Sequence, residues 1–522
     1  MPRAPSVFLT LAACLTAVSC SSGAGIPPPT ATTPPTSPPA GATTAPTTNT
    51  TPTTPSTAPT RDCAAVPRPL PPIPADADAA ALSLLISAAT FTCADEVTVA
   101  PADDTTAGAR AAAHAAAAGG PLLLAGPDTE GLAAEIRRLD PRLVTVSGAV
   151  DPDHPAFSAR PVAALTGTAA IRADIVWSAK PRRLLVVGEG ASTVWPAVWA
   201  AARAAGDVAI LIGPGDVRAA PALVMQALRS SGTAPAHLIG AHHEDIPWQV
   251  EVVRSGRELP GGGLLLFPGR RLVAFYGSPE TPLLGVLGEQ GPNGAEATLD
   301  RMMPFVAEYS SDGVLAVPTF EIIATIADAE PTPDGDYSRE TPLEVLRPWV
   351  ETAGERGAYV ILDLQPGRTD FLTQARMYEE FLRLPHVGLA LDPEWRLRPD
   401  QFHLRQIGSV GAAEINEVAE WLAGIVRDEA LPQKALILHQ FRLDMIPDRS
   451  EVALHPELAI VVHMDGQGPL AAKYVTWSVL TGRPDAELFW WGWKNFFDED
   501  VPMARPPEVL SLDPPVVFVS FQ

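Results

Sequence analysis

Acidic side chains stand directly after three short apolar runs of the chain. In the stretch HVGLALDPEWR, residues 386–396, Asp392 and Glu394 follow a run that is typical of a buried strand. A carboxyl group that keeps its proton beside one that stays ionised can cleave a glycosidic bond. The acid protonates the leaving oxygen, while the anion or its activated water attacks the anomeric carbon. This chemistry predicts four catalytic residues: Asp363, Asp392, Glu394 and Asp465.

Polar and aromatic side chains end the other apolar runs in the same half of the chain. Residues two apart in an extended strand point the same way, so the pairs at positions 363 and 365, 392 and 394, and 463 and 465 are each expected to face one side. Aromatic rings offer flat apolar faces to sugars. The predicted substrate-binding residues are Tyr276, Glu321, Gln365, His439, Gln440, His463, Trp491, Trp493 and Lys494.

The same side chains allow two other functions. Carboxylate oxygens and imidazole nitrogens on neighbouring strands suit a divalent metal ion that hydrolyses an ester or an amide. The residues concerned are Asp363, Asp392, His439, His463 and Asp465. Alternatively, this half of the chain is inactive and only binds envelope glycan. We favour a glycan hydrolase without a metal or another cofactor. A metal assay and turnover on glycans separate the three functions.

A structural role for Asp392 also stays open. Asp-Pro commonly opens a turn, and a carboxylate at that position can cap the element that follows. One polar strand end is therefore weak evidence, and the argument for function depends on the whole set.

Eight apolar runs of β type must position these residues. They follow one another from residue 272 to the end of the chain, and most are separated by helical patterns with apolar residues three and four apart. This alternation predicts a (β/α)8 barrel over residues 263–522, in which chemistry takes place where the strands end. The barrel resembles, in fold and in the polar residues of its rim, the glycoside hydrolases built on this scaffold. No motif of those families is matched residue by residue, so no catalytic role is carried over from them.

An α/β pattern precedes the barrel over residues 63–262. A strand, an Ala-rich helix, GGPLLLAG, a second helix and LVTVSG occur in that order up to Gly148, and a similar order recurs over residues 182–240. Strands alternating with helices predict a tandem of flavodoxin-like α/β repeats with parallel sheets. Residues 119–124 and 144–148 resemble the type 2 cell-wall-binding repeat of bacterial surface proteins. The resemblance implies that this region associates with a cell-envelope polysaccharide.

The N-terminus has the layout of an export signal. One Arg, an apolar stretch and small residues end in AVSC, which resembles the lipobox of bacterial lipoproteins. The resemblance implies a signal peptide over residues 1–19 and lipidation at Cys20. Residues 20–62 are rich in Pro and Thr and predict a disordered tether. We therefore expect a cell-surface lipoprotein on the outer face of the cytoplasmic membrane, anchored there by its lipid.

Two cysteines remain after the signal. Export permits disulfides, and Cys63 and Cys93 are the only intramolecular pair available in the mature chain. A bond across a loop of this length contributes on the order of 3 kcal/mol to stability.

The charge of the chain argues against a nucleic-acid partner. The formal net charge is −23, and no cluster of Lys and Arg is evident that would neutralise phosphates. The combined expectation is an envelope-associated lipoprotein that carries a glycoside-hydrolase-like barrel, which acts on or binds a polysaccharide.

Overall fold

A computed structural model describes residues 61–73, 77–158, 160–240 and 242–522. The predicted signal peptide, the lipidation site at Cys20 and most of the predicted tether lie outside this part of the chain. Among the described helices, none is both long enough and apolar enough to cross a bilayer.

The first part of the described chain forms a parallel four-stranded sheet with helices beside it. The strand order is β2-β1-β3-β4, and the apolar strands are buried, as expected for a parallel sheet covered by helices. The elements are α1 (Ala79–Thr90), β1 (Glu96–Pro101), α2 (Thr105–Ala118), β2 (Leu122–Ala125), α3 (Thr129–Leu139), β3 (Leu143–Val146) and β4 (Val162–Ala164).

A second four-stranded sheet follows, in the order β5-β7-β6-β8. Only β5 runs antiparallel to its neighbour. In both sheets the earliest parallel strand lies between the next two: β1 between β2 and β3, and β6 between β7 and β8. The elements are β5 (Ile175–Val176), β6 (Leu184–Val187), α4 (Trp195–Ala205), β7 (Val208–Leu211), α5 (Ala222–Ser230), β8 (Ala236–Ile239) and α6 (Ile246–Ser255).

The two sheets share one hydrophobic core. The Ala-rich helices α2 and α4 approach each other closely, because a Cβ atom at Gly108 would lie 3.3 Å from the Pro196 ring. A buried ion pair also crosses this region: Arg183 Nη2 lies 2.6 Å from Asp207 Oδ2 and 3.0 Å from Thr90 Oγ1. Near the start of the described chain, Cys63 and Cys93 are joined by a disulfide with their Cα atoms 5.1 Å apart.

Eight parallel strands then close a barrel, which confirms the predicted (β/α)8 architecture of this half. The order is β10-β12-β13-β14-β15-β16-β17-β9, and β9 pairs with both β17 and β10 to complete the ring. The strands are β9 (Arg270–Gly277), β10 (Leu315–Ala327), β11 (Ser338–Glu340), β12 (Tyr359–Leu364), β13 (Val387–Leu391), β14 (Lys434–His439), β15 (Leu458–Met464), β16 (Trp490–Asn495) and β17 (Val516–Phe521). The short β11 lies outside the ring and pairs antiparallel with the end of β10.

Helices surround the barrel and bury its outer face. They are α7 (Ala295–Glu308), α8 (Leu343–Arg356), α9 (Phe371–Met377), α10 (Glu379–Leu382), α11 (Ala412–Asp428), α12 (Leu470–Thr481) and α13 (Pro506–Leu510). The residues of each strand divide between two cores, one between strands and helices and one inside the ring. This division follows from the alternation of side chains along a strand.

The second α/β sheet region packs against the amino ends of the barrel strands. Arg218 Nη2 donates to the carbonyl of Pro456, two residues before β15 begins, at 2.7 Å. Trp248 lies between two guanidinium groups, 4.6 Å from that of Arg218 and 4.8 Å from that of Arg427 at the end of α11. This contact therefore leaves the carboxyl ends of the strands, where chemistry occurs in such barrels, at the opposite end.

Candidate active site

The inward positions of the barrel strands change from apolar to polar at their carboxyl ends. Inside the ring, one apolar cluster contains Ile361, Ile437 and Val461. Two residues further along each strand, the side chain pointing the same way is charged or polar. The inward residues at the carboxyl ends are Tyr276, Glu321, Asp363, Asp392, His439, His463, Lys494 and Ser520, and all are buried. We call this group, with Gln365, Glu394 and Asp465, the mouth cluster.

His439 lies at the centre of the mouth cluster, surrounded by carboxylates. Its Nδ1 is 2.8 Å from Asp465 Oδ2, and its Nε2 is 3.2 Å from Glu321 Oε1 and 3.6 Å from Asp363 Oδ1. Neither Nε2 contact has the geometry of a hydrogen bond, and both become ion pairs when the imidazole is protonated. Burial alone would lower the pKa of His439, but Asp363, Asp465 and Glu321 together raise it well above the usual value. The surrounding carboxylates therefore favour the protonated form of His439.

The pKa of His463, which contacts His439, is shifted in the opposite direction. The two rings lie 5.2 Å apart, and His463 Nε2 is 2.8 Å from Ser520 Oγ. Burial lowers the pKa of His463 well below the usual value, and the positive charges of His439 and Lys494 lower it further. A Cβ atom on Gly492 would lie 2.4 Å from His463 Nδ1, so glycine makes room for this neutral ring.

Two hydrogen bonds connect the carboxyl ends of strands β9 and β12 inside the ring. Gln365 Nε2 donates to Tyr276 Oη at 3.0 Å, and Tyr276 Oη donates to Asp363 Oδ2 at 2.9 Å. Burial raises the pKa of Asp363 to about 6, with a further contribution from Glu321, while His439 and Lys494 oppose the shift. Asp363 is thus held in place by its hydrogen bond with Tyr276 and is fully buried.

Lys494 brings a second cation to the mouth cluster. Its Nζ lies 3.5 Å from the centroid of the Tyr276 ring. Behind it, Lys473 Nζ donates to the Lys494 carbonyl at 2.6 Å and forms a buried ion pair with Asp500. This pair fixes the backbone from which Lys494 projects.

Asp392 turns the chain at the end of β13. Its Oδ1 accepts from the Glu394 backbone N–H at 3.0 Å, which caps the single 3-10 turn Pro393–Trp395. The expected extended geometry of residues 392 and 394 is therefore wrong, because the strand ends at Leu391. Asp392 is nevertheless part of the cluster. Burial raises its pKa well above the usual value, Asp363, Asp465 and Glu394 raise it further, and His439 opposes the shift.

Glu394 is the carboxyl group of the cluster that lies nearest solvent. It is half-buried, whereas Asp363 and Asp392 are buried. Burial and the nearby Asp465 raise the pKa of Glu394 to about 7, against the effects of Lys494 and His439. At neutral pH this residue can hold a proton and release it. Asp465 contacts His439 through Oδ2, while its Oδ1 makes no hydrogen bond within the described residues.

Part of the cluster also has the donor set of a metal site. One ligand atom each from Asp392, His439 and Asp465 lie within 4.8 Å of one another. Asp363 and His463, which were included in the metal alternative, are outside this group. His463 Nε2 contacts Ser520. A second acidic group, around Asp336, differs because Asp336 Oδ1 accepts from Ser338 N and Oδ2 accepts from Thr369 Oγ1. These hydrogen bonds explain the acidic group around Asp336 as part of the loop structure.

The predicted aromatic platform at residues 491 and 493 is not at the mouth. Trp491 and Trp493 pack against Trp477 of α12 in the core between barrel and helices, and both are buried. The reason is the alternation along β16: Gly492 and Lys494 face inward, so the two tryptophans face outward. They cannot contact a substrate at the strand ends.

Gln440 also lies away from the cluster. Its Oε1 accepts from Arg449 Nη1 at 2.8 Å, and its Nε2 donates to the carbonyl of Arg442 at 3.1 Å. These bonds hold the loop after β14, and the expectation that Gln440 binds substrate is not supported by this position. The remaining predicted residues all belong to the mouth cluster.

Three residues of the site were not singled out from the sequence. Ser520 contacts His463, and Lys473 with Asp500 supports Lys494. Ser520 could have been found, because it is the polar residue in the run VVFVSF and stands two positions after Phe518 of the barrel interior. Nothing in the sequence pairs Lys473 with Asp500, which are 27 residues apart.

Comparison with known proteins adds little to this geometry. The chain matches no protein-family model and no curated protein. Among solved structures it is similar to Cwp6 from Clostridium difficile, with 14% sequence identity, a TM-score of 0.20 and alignment over 63% of each chain. This chain thus covers less than two thirds of that structure, and a TM-score so low carries no argument.

Proposed function

We propose that the barrel hydrolyses a glycosidic bond with Glu394 as the general acid. The observation that carries the proposal is a half-buried carboxyl group at the mouth whose pKa is raised to about 7. A general acid is most effective when its pKa lies near the working pH. Burial and the charge of Asp465, the two causes of this shift, are those used to keep a catalytic carboxyl protonated.

Asp465 is the partner that the geometry favours. Asp363 and Asp465 each keep one oxygen without a hydrogen bond within the described residues. Asp363 is fully buried and bonded to Tyr276, and Asp392 caps a turn, whereas Asp465 is close enough to Glu394 to raise its pKa. In the reaction, Glu394 gives its proton to the leaving oxygen as the bond to the anomeric carbon breaks. Asp465 either attacks that carbon or takes a proton from the attacking water. Water then supplies the hydroxyl group of the product, and Glu394 regains a proton.

The protonated His439 positions Asp465. Its Nδ1 contact at 2.8 Å fixes the orientation of the carboxylate, and its positive charge offsets part of the negative charge that the cluster concentrates in a buried space. Tyr276 and Gln365 hold Asp363 beside it. His439, Tyr276 and Gln365 therefore act through the carboxylates in this proposal.

We propose that the rest of the chain directs this activity to the cell envelope. Residues 63–262 are proposed to form tandem flavodoxin-like repeats of the cell-wall-binding kind, which bind an envelope polysaccharide. Cys20 is proposed as the lipidated residue, with residues 20–62 as the tether on the outer face of the cytoplasmic membrane. The support is the phrase GGPLLLAG, the ending LVTVSG and the AVSC sequence, together with the shared strand order of the two sheets.

Turnover of envelope polysaccharide tests the proposal. Wild type should release reducing ends, and Glu394→Gln and Asp465→Asn should each abolish most of that release without unfolding the protein. The matched control is Glu340→Gln, a carboxyl group outside the mouth cluster whose pKa is also raised by burial. Binding of polysaccharide without turnover by the wild type would show that the barrel is an inactive glycan-binding domain.

Metal-dependent hydrolysis is the second candidate, and the grouping of Asp392, His439 and Asp465 favours it. The carboxylates could hold a divalent ion, but His439 would first have to lose the proton that its neighbours stabilise. Calorimetric titration with zinc and with manganese tests the site directly. Binding that His439→Gln and Asp465→Asn both abolish, together with loss of turnover on chelation, would favour this candidate over the first.

A further inference from the structure

Lysine is rare in this chain, and three of its four lysines are buried in the barrel. Among 37 basic residues only Lys180, Lys434, Lys473 and Lys494 are lysines, and the rest are arginines. Lys180 is exposed, whereas the three lysines of the barrel are at most 3% exposed. Arginine suits ion pairs and keeps its charge in proteins, while lysine carries a compact amine that can act as a nucleophile. The buried lysines therefore indicate positions that require an amine rather than a guanidinium group.

Hydrogen bonds within the barrel explain two of the buried amines. Lys434 Nζ donates to the carbonyls of Leu384 and Val387, at 2.6 and 2.7 Å. Lys473 Nζ donates to the Lys494 carbonyl at 2.6 Å, in addition to its ion pair described above. A buried amine with such partners is explained by folding. Both of these lysines therefore have a structural role.

The amine of Lys494 has no such explanation. Within the described residues its Nζ makes no hydrogen bond and no ion pair. It contacts the rings of Tyr276 and Phe496, whose centroids lie 3.5 and 5.3 Å away. Only 3% of the residue is exposed, and it faces inward at the carboxyl end of β16, where chemistry takes place in such barrels. A buried amine without a hydrogen bond is costly to folding, so it points to a ligand.

The surroundings of Lys494 disfavour an anionic ligand. The mouth cluster already contains five carboxyl groups, and the loops after β9, β13 and β16 expose five more against three arginines. These exposed carboxyl groups belong to Glu280, Glu289, Asp400, Asp498 and Glu499. A phosphate or a carboxylate would be repelled by this concentration of acidic groups. A neutral group that reacts with an amine fits better, and the carbonyl carbon of an aldehyde or a ketone is such a group.

The polar atoms of the mouth cluster suit a carbonyl compound that also carries hydroxyl groups. Asp363 Oδ1 and Asp465 Oδ1 make no hydrogen bond within the described residues, so each can accept one from a hydroxyl group of a ligand. Lys494 interacts electrostatically with Asp363 and with Glu394. Carboxyl groups that can give and take protons therefore lie near the amine.

We propose that Lys494 forms an imine with the carbonyl carbon of a small hydroxylated aldehyde or ketone, such as an open-chain sugar. The amine nitrogen attacks the carbonyl carbon, the two amine hydrogens pass to the carbonyl oxygen through nearby carboxyl groups, and that oxygen leaves as water. The carbon–nitrogen double bond forms without an oxidant or a reductant. Imine formation needs only the amine and the carbonyl compound, so it is independent of the proposed glycosidic hydrolysis. That hydrolysis would supply such a compound, because the reducing end that it releases can open to an aldehyde.

Reductive trapping in the full wild-type chain tests the imine. The probe is glyceraldehyde with cyanoborohydride, which reduces an imine to a stable secondary amine, and mass spectrometry of peptides locates the modified lysine. The exposed Lys180 is the internal reference for a surface amine. Lys434 and Lys473 are the references for buried amines with hydrogen bonds. The matched control is Lys494→Arg, which keeps the positive charge but has no amine that could form an imine.

The expected result is faster modification of Lys494 than of Lys180, with no modification of Lys434 or Lys473 in the folded protein. Lys494→Arg should lose the fast modification and leave the rate at Lys180 unchanged.

Modification of Lys494 that is absent, or no faster than that of Lys180, would overturn the imine and leave Lys494 as a counter-charge to the carboxylates. Equal modification of all three buried lysines would also overturn it, because unfolding would then explain the reaction. Glycan turnover is measured separately on the same preparation. Trapping without turnover would remove only the glycosidic hydrolysis, and turnover without trapping would remove only the imine.

Discussion

The α/β region and the barrel mouth both bury charged side chains, but the hydrogen bonding of the buried carboxylates differs between the two regions. Asp207 accepts from Arg183 through both oxygens, and that guanidinium group also donates to Thr90 and to backbone carbonyls. In the mouth cluster, both oxygens of Glu321 and one oxygen of Asp465 make no hydrogen bond within the described residues. A buried pair that is fully bonded is explained by folding, whereas unbonded buried carboxylates are costly and point to function.

The largest expected effect is on catalysis. Glu394→Gln removes the only proton donor of the cluster that is half-exposed, so turnover should fall about 10²- to 10⁴-fold. The melting temperature should stay close to that of wild type, because the side chain lies at the rim. Steady-state kinetics and thermal unfolding of the same preparation check both statements. Unchanged turnover would show that the mouth cluster is not used in the way proposed here.

A change in the buried pair of Arg183 and Asp207 should affect stability and leave turnover unchanged. Asp207→Ala leaves the buried guanidinium group of Arg183 without its carboxylate, which should lower the free energy of unfolding by about 3–5 kcal/mol. Turnover per folded molecule should not change, since the pair lies far from the strand ends of the barrel. Denaturant unfolding and activity of the folded fraction measure the two effects. A loss of turnover without loss of stability would contradict the contrast between the regions.

The pH dependence of stability gives a third test. Because the pKa of Glu394 is raised to about 7 in the folded state and is about 4.3 in an unfolded chain, the folded state holds an extra proton between these values. The free energy of unfolding contributed by this group therefore falls as pH rises through this window and levels off above it. Unfolding by urea at several pH values should show a shallower fall in Glu394→Gln than in wild type. Parallel curves would show that Glu394 has an ordinary pKa.

The smallest expected effect concerns Glu321. Its buried carboxylate lies beside His439 and makes no hydrogen bond within the described residues, so Glu321→Gln breaks no hydrogen bond and should lower the free energy of unfolding less than Asp207→Ala does. Removing this negative charge should also lower the pKa of His439, since Glu321 is one of the groups that raise it. NMR titration of the imidazole resonances measures the change. A rise in that pKa would contradict the assigned environment.

Much of the barrel could be predicted from the sequence, because the position of each strand depends on a local pattern of apolar residues. Each apolar run of β type became a strand, and the polar ends at Asp363, His439 and His463 follow from where those runs stop. The error at Trp491 and Trp493 arose from counting them as rim residues without following the alternation of β16. Gly492 and Lys494 alternate with the two tryptophans, and their small and charged side chains indicate that they face inward.

Other features of the site depend on closure of the ring and could not be predicted. The approach of His439 to Glu321 joins strands β14 and β10, which are not neighbours and which no sequence spacing relates. The same holds for the contact of His463 with Ser520. Asp392 is a third case. Asp-Pro was compatible with both a turn and a site, and the residue caps the turn and also lies within the mouth cluster.

The most direct test of the proposed catalytic pair is the pKa of the Glu394 side chain in wild type and in Asp465→Asn. Carboxyl-labelled glutamate, with the Glu394 resonance assigned by its loss in Glu394→Gln, allows the titration to be followed by carbon NMR. We expect a pKa of about 7 in wild type and a lower one in Asp465→Asn, because the charge of Asp465 helps to hold the proton. An ordinary glutamate pKa in wild type, or a value that Asp465→Asn leaves unchanged, would contradict the assignment of Glu394 and Asp465 as the catalytic pair.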